Sequence, residues 1–531
     1  MPSSENPIEI SGDASKFGTP RQTGWSALVI LLAVSAAVRL VCLACKPFWF
    51  DECYSVELAR IGWRDFLRLL WWREANMSLY YVLLRIWLHF GQTPFFIRSL
   101  SVLAAVATLS AIYWLGRMLY DRRVGLIAAA LFAFNAYDVR YAQEARSYAL
   151  LVLLATLSSA FLVAYVREPA RRNRISYVGL SVLAVYAHLY ALLLIVAQWI
   201  SVGIASGSAY PYSELTSPRN SQLEARNILH EMRRAYTVIA IAVAPLLIFV
   251  AKTGAGPIRW IHRPGVRDVL AFFEHLAGSN HWILPTVFAV ACLAGTAPAR
   301  AHLLKRNQGW KTWRCQFLLI WLLFPVALTV ALSFARAVFL GRYMIFCLPA
   351  LLILVSAGVA RLQQWWLLAI ALSAILLLSA QGISFVYSHD FDSERDASGA
   401  AANFILEHAQ PGDGVIFHIA AARVPYEFFR SLRAGENTAS PEFTAALGPE
   451  ILYPRHAAGL DYRDFTGKPT AALLRDVTAG HPRVWVMLMD NTSGGKPDPT
   501  TSMLTEVLPE LFPKVQRWQF PLVEVRLYSQ R

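Results

Sequence analysis

Two adjacent carboxylates, Asp51 and Glu52, stand in the run Phe48-Trp49-Phe50-Asp51-Glu52-Cys53-Tyr54, directly after an apolar stretch that ends at Cys45. A carboxylate held at a partly dry boundary keeps its proton more tightly unless a cation or metal compensates, so it can serve as a base or a ligand. The same pair can equally be the first turn of an interfacial helix, where acids are favoured by the exposed backbone N–H groups. Other charged side chains bear on the choice. Glu74 precedes Ala75-Asn76-Met77-Ser78-Leu79-Tyr80-Tyr81, and Asp138, Glu144 and Arg146 lie between Tyr137 and Tyr148. Arg336, Arg342 and Tyr343 follow much later. Acids with a cationic group beside them are what transfer from a lipid phosphate needs, provided these segments meet at one face of one boundary.

That boundary is a membrane. Of 531 residues, 56% are hydrophobic and 16% charged, against about 25% charged in soluble domains. Trp25 to Cys45, Ser147 to Val166, Cys315 to Phe334 and Trp365 to Phe385 approach the roughly 20 residues that span a bilayer core as helix. The formal charge of +14 does not imply nucleic acid, which would need a basic face on a soluble domain; the basic residues sit between apolar runs instead. The bilayer is the partner, and no nucleic acid is expected. Residues 1–24 read as a cytoplasmic tail before an uncleaved first helix, since a cleavable leader would place its apolar region nearer the start.

The excess of Lys and Arg in inner loops orders the passes. Arg117, Arg122 and Arg123 mark one inner loop, and Arg167, Arg171, Arg172 and Arg174 a second. Arg219, Arg226, Arg233 and Arg234 mark a third, and Arg300, Lys305, Arg306, Lys311 and Arg314 a fourth. Residues 175–206 are long for one pass and short for two, with Tyr186, His188 and Tyr190 midway; they read as a tight helical hairpin with His188 near the outer surface, a single tilted helix being the alternative. Further passes at Val124 to Tyr137, Tyr236 to Ala251, Trp282 to Ala297 and Met344 to Ala360 bring the total to about eleven membrane helices. The first outer loop is rich in Arg, but acids offset them, and Trp63 to Trp72 and Leu79 to Phe90 resemble amphipathic helices lying in the interface.

The expected architecture is therefore a polytopic α-helical membrane protein with a C-terminal extracytoplasmic α/β domain. Its parts are an N-terminal tail (1–24), a transmembrane domain (25–386) with outer loops at 46–97 and 138–146, and a soluble domain (387–531). In the last, Pro411 to Phe417 reads as turn then strand, Arg483 to Leu488 as a buried strand, and Val523 to Tyr528 as an edge strand. Ala397 to His408 and Met503 to Leu511 read as helices. No internal repeat of the kind used by transporters is visible. Six cysteines are too few for a disulfide framework, and Cys42-x-x-Cys45, in an apolar helix without a nearby His, reads as core filler rather than a zinc or redox site.

Several of these segments together resemble a known family. Phe50-Asp51-Glu52, Leu79-Tyr80-Tyr81 followed by Gly91 and Arg98, Gln143-Glu144-Ala145-Arg146-Ser147-Tyr148, Tyr186-Ala187-His188-Leu189-Tyr190 and Gly341-Arg342-Tyr343 look like GT-C glycosyltransferases of the family 39 type. That group includes protein O-mannosyltransferases and bacterial lipid A aminoarabinose transferases. The resemblance is strong over residues 25–200, moderate near 335–360 and weak between. It implies a polyprenyl- or dolichyl-phosphate sugar donor, Asp51 as general base with Glu52 and Glu144 beside it, and inversion at the anomeric carbon. Where many relatives carry proline before the Leu-Tyr-Tyr segment this chain has Met77-Ser78, which leaves the placement of Glu74 open.

A departing lipid phosphate must be met by cations, and Arg146 and Arg342, with Tyr343, are the candidates. A divalent metal held by Glu74 and Glu144 is the rival arrangement. Tyr81, Glu74, His188 and Tyr190 are candidate substrate contacts. Each has a plainer reading: a snorkelling anchor for Arg146, a hydrogen-bonded interface residue for His188, a belt pair for Arg342-Tyr343. The expected function is sugar transfer from a polyprenyl-phosphate donor to an extracytoplasmic lipid, glycan or protein acceptor at the outer face of a bacterial inner membrane, the C-terminus showing no endoplasmic-reticulum retention signal. Alternatives are a diphosphate-donor glycan ligase and a flippase of a lipid-linked sugar. A flippase would carry ionisable residues in mid-helix and broken helices in matched halves.

Overall fold

A computed structural model describes residues 23–46, 48–207, 218–253, 261–304, 309–388, 397–436, 448–454, 469–489, 492–493, 496–497 and 499–530. Residues 1–22 of the expected tail, and Lys305 and Arg306 of the fourth basic loop, lie outside them.

Among the described residues from Thr23 to Ser388, helix follows helix. After α1 (Thr23–Leu40) come three short helices of the 46–97 loop, α2 (Phe50–Arg60), α3 (Trp63–Trp72) and α4 (Ser78–Trp87). The long α5 (Pro94–Leu119) leads to α6 (Arg122–Ala133), α7 (Ala136–Ala142) and α8 (Tyr148–Arg167). Then follow α9 (Arg171–Ala187), α10 (Ala191–Gly207), α11 (Pro218–Thr253), α12 (Val266–Ala277), α13 (Ile283–Leu304) and α14 (Trp310–Ala335). A 3-10 segment, Gly341–Cys347, runs into α15 (Leu348–Val359), and α16 (Trp365–Ser388) ends the series. Polar residues at their starts explain several boundaries: the side chains of Thr93, Asp121 and Asn135 accept from the backbone N–H of Phe96, Val124 and Asp138, satisfying donors that a helix start leaves open.

Among the described residues six segments are long and apolar enough to cross a bilayer: Pro94–Leu119, Tyr148–Arg167, Asn227–Thr253, Trp310–Ala335, Gly341–Val359 and Trp365–Ser388. Trp25–Leu40, Ala191–Ile204 and Ile283–Ala297 are shorter apolar helices. The outer members expose Ile241, Ile248, Ile370 and Leu377, side chains that suit lipid rather than water. Inside, close packing relies on small residues. A Cβ on Gly358 of α15 would overlap the Ala291 carbonyl of α13.

Residues 175–206 form a hairpin of two helices, as the first of the two sequence readings has it. Its corner is buried, however, with His188 0% exposed, because the 46–97 loop lies over it. Asn76 Oδ1 accepts from the Leu189 backbone N–H at 2.9 Å, tying loop to corner. Met77 next to it has φ 68°, a left-handed turn that a non-glycine residue rarely adopts, and this is where the chain departs from the proline of the family pattern. The amphipathic α12, between α11 and α13, has no counterpart in the sequence reading.

The tail domain is a five-stranded mixed sheet with helices on both faces. Its strands are β1 (Gly414–Phe417), β2 (Glu450–Tyr453), β3 (Arg483–Met489), β6 (Lys514–Phe520) and β7 (Val523–Ser529), with β4 (Thr492–Ser493) and β5 (Lys496–Pro497) forming a separate small hairpin. The order is β2-β1-β3-β7-β6, the first three parallel and the last two joined antiparallel. The Val523 strand is therefore interior, not an edge. The edge is β6, whose Lys514, Gln516 and Arg517 hide it from a hydrophobicity reading and also blunt it against pairing with other chains. Alternate residues along the strands face opposite layers. Ile416, Val484 and Val486 meet Leu504 and Leu508 on one side, while Val415, Phe417, Trp485 and Met487 share the other side with Phe428, Tyr426 and the α2 and α4 residues of the 46–97 loop.

Candidate functional site

The carboxylates that the sequence places together separate in the fold. Asp138 is buried in an ion pair with Arg39 of α1 at 2.7 Å, and the same guanidinium closes the end of α6 through the carbonyls of Phe132 and Ala133. Glu52 is buried with both oxygens engaged: Arg98 of α5 donates to them at 2.8 and 2.7 Å, and the Ala145 backbone N–H at 2.8 Å. Glu144 faces Arg140 at 3.9 Å and lines a small polar pocket with Lys46, Gln143 and Cys42. Glu74 accepts from the Tyr54 hydroxyl at 3.3 Å.

Asp51 takes a different path. It stands in the first turn of α2, its side chain 22% exposed, and Arg146 lies 3.4 Å away. The turn 144–146 splits its two charged side chains, Glu144 toward Arg140 and Arg146 toward Asp51. Arg146 also reaches the Ser55 hydroxyl at 3.4 Å. Burial works against its charge, but Asp51 holds its pKa well above the ordinary value. The Arg342 guanidinium, from the 3-10 segment, lies 5.7 Å from the Trp49 ring and 5.7 Å from the Tyr343 ring. Arg336 is exposed at the end of α14 and takes no part.

An aromatic group closes one side. The His188 and Tyr343 rings are 4.6 Å apart, Tyr190 and Tyr343 5.1 Å, and Tyr148 and Tyr343 6.4 Å. The Tyr190 hydroxyl donates to the Val338 carbonyl, pinning the hairpin corner to the loop before Arg342. His188 Nδ1 accepts from the Tyr190 N–H at 3.2 Å, which leaves the ring hydrogen on Nε2. Burial, reinforced by Arg146 and Arg342, lowers the His188 pKa to about 3, so the ring is neutral. Tyr81 is buried nearby; burial above all, with Glu74 and Asp51, raises its phenol against the pull of Arg146, so it stays a protonated donor.

Among the described residues, three buried polar atoms of this group have no hydrogen-bond partner: His188 Nε2, the Tyr148 hydroxyl and Arg146 Nε. Buried donors are seldom left unmet, so donors without partners around a partly open carboxylate make this group the candidate ligand site, one rich in positive charge. Tyr148 and Trp49 are members that the sequence reading did not single out. The family-like block ends at Tyr148, which was the available signal.

The metal reading is less well served. Among the described residues no three His, Cys, Asp or Glu side chains come together in a set able to hold a metal ion, and Glu74 and Glu144, the expected ligands, turn to Tyr54 and Arg140. The donors present do not fit a metal centre. The C-x-x-C expectation needs correction too: Cys42 and Cys45 form a disulfide. Helix α1 stops at Leu40, so the cysteines occupy an exposed turn, Cys42 at φ 54°, rather than a helix interior.

No protein-family model matches the sequence, and no curated protein sequence matches it. Solved structures match over nearly the whole chain. ArnT from Cupriavidus metallidurans in the apo state aligns with TM-score 0.59 and 12% identity, covering 96% of this chain and 98% of its own. The same protein bound to undecaprenyl phosphate gives TM-score 0.56 at 12% identity, covering 95% and 98%. The Archaeoglobus fulgidus oligosaccharyltransferase in the apo form gives 0.53 at 11% identity, covering 88% of this chain and 70% of its own. The likeness takes in the helical part and the tail domain together, and the chain has the fold of the GT-C glycosyltransferases.

Proposed function

We propose that this protein transfers a sugar from a polyprenyl-phosphate-linked donor to an acceptor outside the cytoplasmic membrane, with inversion. The observation that carries the reading is Asp51, partly open, set against the buried Arg146 with unmet donors around it. The fold likeness to an ArnT bound to undecaprenyl phosphate supports the donor class.

Asp51 is the general base. At 3.4 Å its pair with Arg146 is looser than the 2.7–2.9 Å usual for charge-assisted bonds, and a bound phosphate with greater charge draws the arginine away. Asp51 then accepts the proton of the acceptor hydroxyl as that oxygen bonds to the anomeric carbon. The bond from this carbon to the phosphate oxygen breaks, and the lipid phosphate leaves with the electron pair. Arg146 and Arg342 meet the charge that develops, in a site where such contacts outweigh their value in water. Tyr343, Tyr148, His188 and Tyr190 form the wall against which the donor rests, with Tyr81 a further donor. Glu52, Glu74 and Glu144 hold Arg98, Tyr54 and Arg140 in place.

We assign eleven passes to α1, α5, α6, α8, α9, α10, α11, α13, α14, the Gly341–Val359 segment and α16; six of these are long and apolar enough to cross and three are shorter apolar helices, while α6 and α9 are assigned by the alternation of basic loops. Starting from the cytoplasm, this places Asp51, Arg146, His188, Arg342 and the tail domain on the outer face. The Cys42–Cys45 disulfide supports the same side, because disulfides persist in oxidising compartments such as the bacterial periplasm.

The test is turnover of radiolabelled polyprenyl-phosphate sugars by the purified protein in lipid. Asp51→Asn is expected to lose about 10²–10⁴-fold in kcat, the usual contribution of a base, while still binding donor. Full activity in that variant removes Asp51 from the reaction, and consumption of diphosphate donors only, by the wild type, replaces the donor class.

A further inference from the structure

We infer that the tail domain acts as the positioning element for the Asp51 corner, and that Phe428 and Gly399 are its working residues. The inference rests on the proposal that Asp51 is the base, and it assigns a role to a domain which that proposal leaves idle.

Phe48 is three residues before Asp51 and 2% exposed. The Arg98 guanidinium sits 4.4 Å from its ring centroid, and the ring of Phe428 stacks on it at 4.8 Å with planes 27° apart. Arg98 belongs to α5; Phe428 belongs to the tail helix Ala420–Glu436. Phe48 thus bridges a membrane-domain cation and a tail-domain ring. Arg98 also donates to the Leu43 and Lys46 carbonyls, at 2.8 and 2.9 Å, and grips Glu52. Arg98 is thus one membrane-domain anchor of the segment 43–52, beside the Lys46 bond to the Val386 carbonyl, the Ala145 N–H on Glu52 and Arg146 on Asp51, and the tail adds anchors of its own.

Gly399, in the tail helix Ser398–His408, supplies the second. A Cβ there would overlap the Phe48 carbonyl oxygen and press on the Phe429 ring, so the tail backbone approaches the outer loop as closely as only glycine permits. Further along α2, Arg60 donates to Ser431 at 2.8 Å. The side chains of α2 and α4 lie in one apolar cluster with the tail sheet, so α2 is held from above along most of its length. A base displaced by about 1 Å costs a reaction on the order of 10²-fold, which gives such a clamp catalytic weight without any contact with substrate.

The test uses the full chain in lipid nanodiscs and two readouts, turnover with donor KM, and hydrogen exchange of backbone amides 48–56. Phe428→Ala and Gly399→Ala are expected to lower kcat by about ten- to 10²-fold with donor KM within about twofold of wild type, and to speed exchange at 48–56. Phe428→Tyr, which keeps the stacked ring, is expected to restore both. Leu504→Ala, buried on the opposite face of the tail sheet, serves as the control for loss of tail stability and should leave kcat and exchange at 48–56 alone. The inference is overturned if Phe428→Ala and Gly399→Ala leave both readouts at the wild-type value, or if Leu504→Ala lowers kcat as much as they do. An active Asp51→Asn variant would overturn the base reading separately, and exchange at 48–56 would still decide whether the tail holds this corner.

Discussion

Arg98 and Glu52 form a buried, two-point ion pair: the guanidinium donates to the two carboxylate oxygens at 2.8 and 2.7 Å, and neither side chain is more than 2% exposed. Removing one partner of such a pair strands the other charge, which costs about 3–5 kcal/mol, whereas replacing both by apolar groups can be nearly neutral. Arg98→Ala should therefore lower the thermal unfolding midpoint sharply, and Arg98→Met combined with Glu52→Leu should recover most of the loss. A double-mutant cycle on unfolding midpoints reads the difference; equal and additive losses would show that the pair does not act as a unit.

The two arginines near Asp51 carry a different expectation. If they meet the phosphate as its charge develops, Arg342→Ala should reduce kcat by about 10²–10³-fold, the range seen when one preorganised donor is removed. Polyprenyl phosphate, the leaving product, should also inhibit the variant less. Arg342→Lys should recover only part, since an ammonium lacks the planar fork that matches phosphate oxygens. Turnover and product inhibition measured on the three proteins decide this; an unchanged kcat in Arg342→Ala would reduce Arg342 to an interfacial neighbour of Trp49 and Tyr343.

Much of this arrangement was legible in the sequence because the membrane enforces it. The apolar runs at Ser147, Cys315 and Trp365 became helices, since a backbone in lipid must satisfy its own hydrogen bonds. The corner at His188 was legible from three polar rings amid an apolar run. The partners of the acids were not legible. Which of Asp51, Glu52, Asp138 and Glu144 stays open depends on where Arg39, Arg98, Arg140 and Arg146 arrive, and those arginines lie up to about one hundred residues away, Arg39 from Asp138 for instance. Edge and interior strands were confused for a related reason. In β6 the polar Lys514, Gln516, Arg517 and Gln519 dilute the signal of Val515, Trp518 and Phe520, so Val523 to Tyr528 looked like the edge. The C-x-x-C was misread because α1 ends at Leu40, so the apolar run to Cys45 is not helix to its end and the two cysteines fall in the turn beyond it.

His188 has a direct pH consequence. Its pKa falls to about 3 through burial, with Arg146 and Arg342 adding to the effect, against an ordinary 6.5. In the folded protein the ring therefore stays neutral throughout pH 5–8, and no limb of the pH–rate profile in that window belongs to it. His188→Gln should lower activity by loss of the aromatic contact with Tyr343 while leaving the shape of the profile unchanged. The sign for stability is the reverse of a histidine that gains a partner: the unfolded chain binds this proton below about pH 6.5 and the folded one does not until near pH 3, so stability falls as pH falls through that interval. Unfolding midpoints from pH 8 to pH 4 should fall less steeply for His188→Gln than for wild type.

Cys42 and Cys45 allow the orientation to be read chemically. Both are exposed and joined, and the turn they close supplies the Leu43 carbonyl to Arg98. Closing so short a loop contributes about 2 kcal/mol at most in the chain-entropy account, so Cys42→Ser with Cys45→Ser should fold and retain activity. In intact cells a membrane-impermeant maleimide should leave the wild-type pair unlabelled, then label both after an impermeant reductant is added. Cys53, Cys315 and Cys347 are buried and Cys292 is largely so, which keeps the background low. Labelling without reductant would mean that the pair is open in the cell, and labelling only after lysis would place the Asp51 corner on the inner face, reversing the proposed topology and with it the side on which the sugar is transferred.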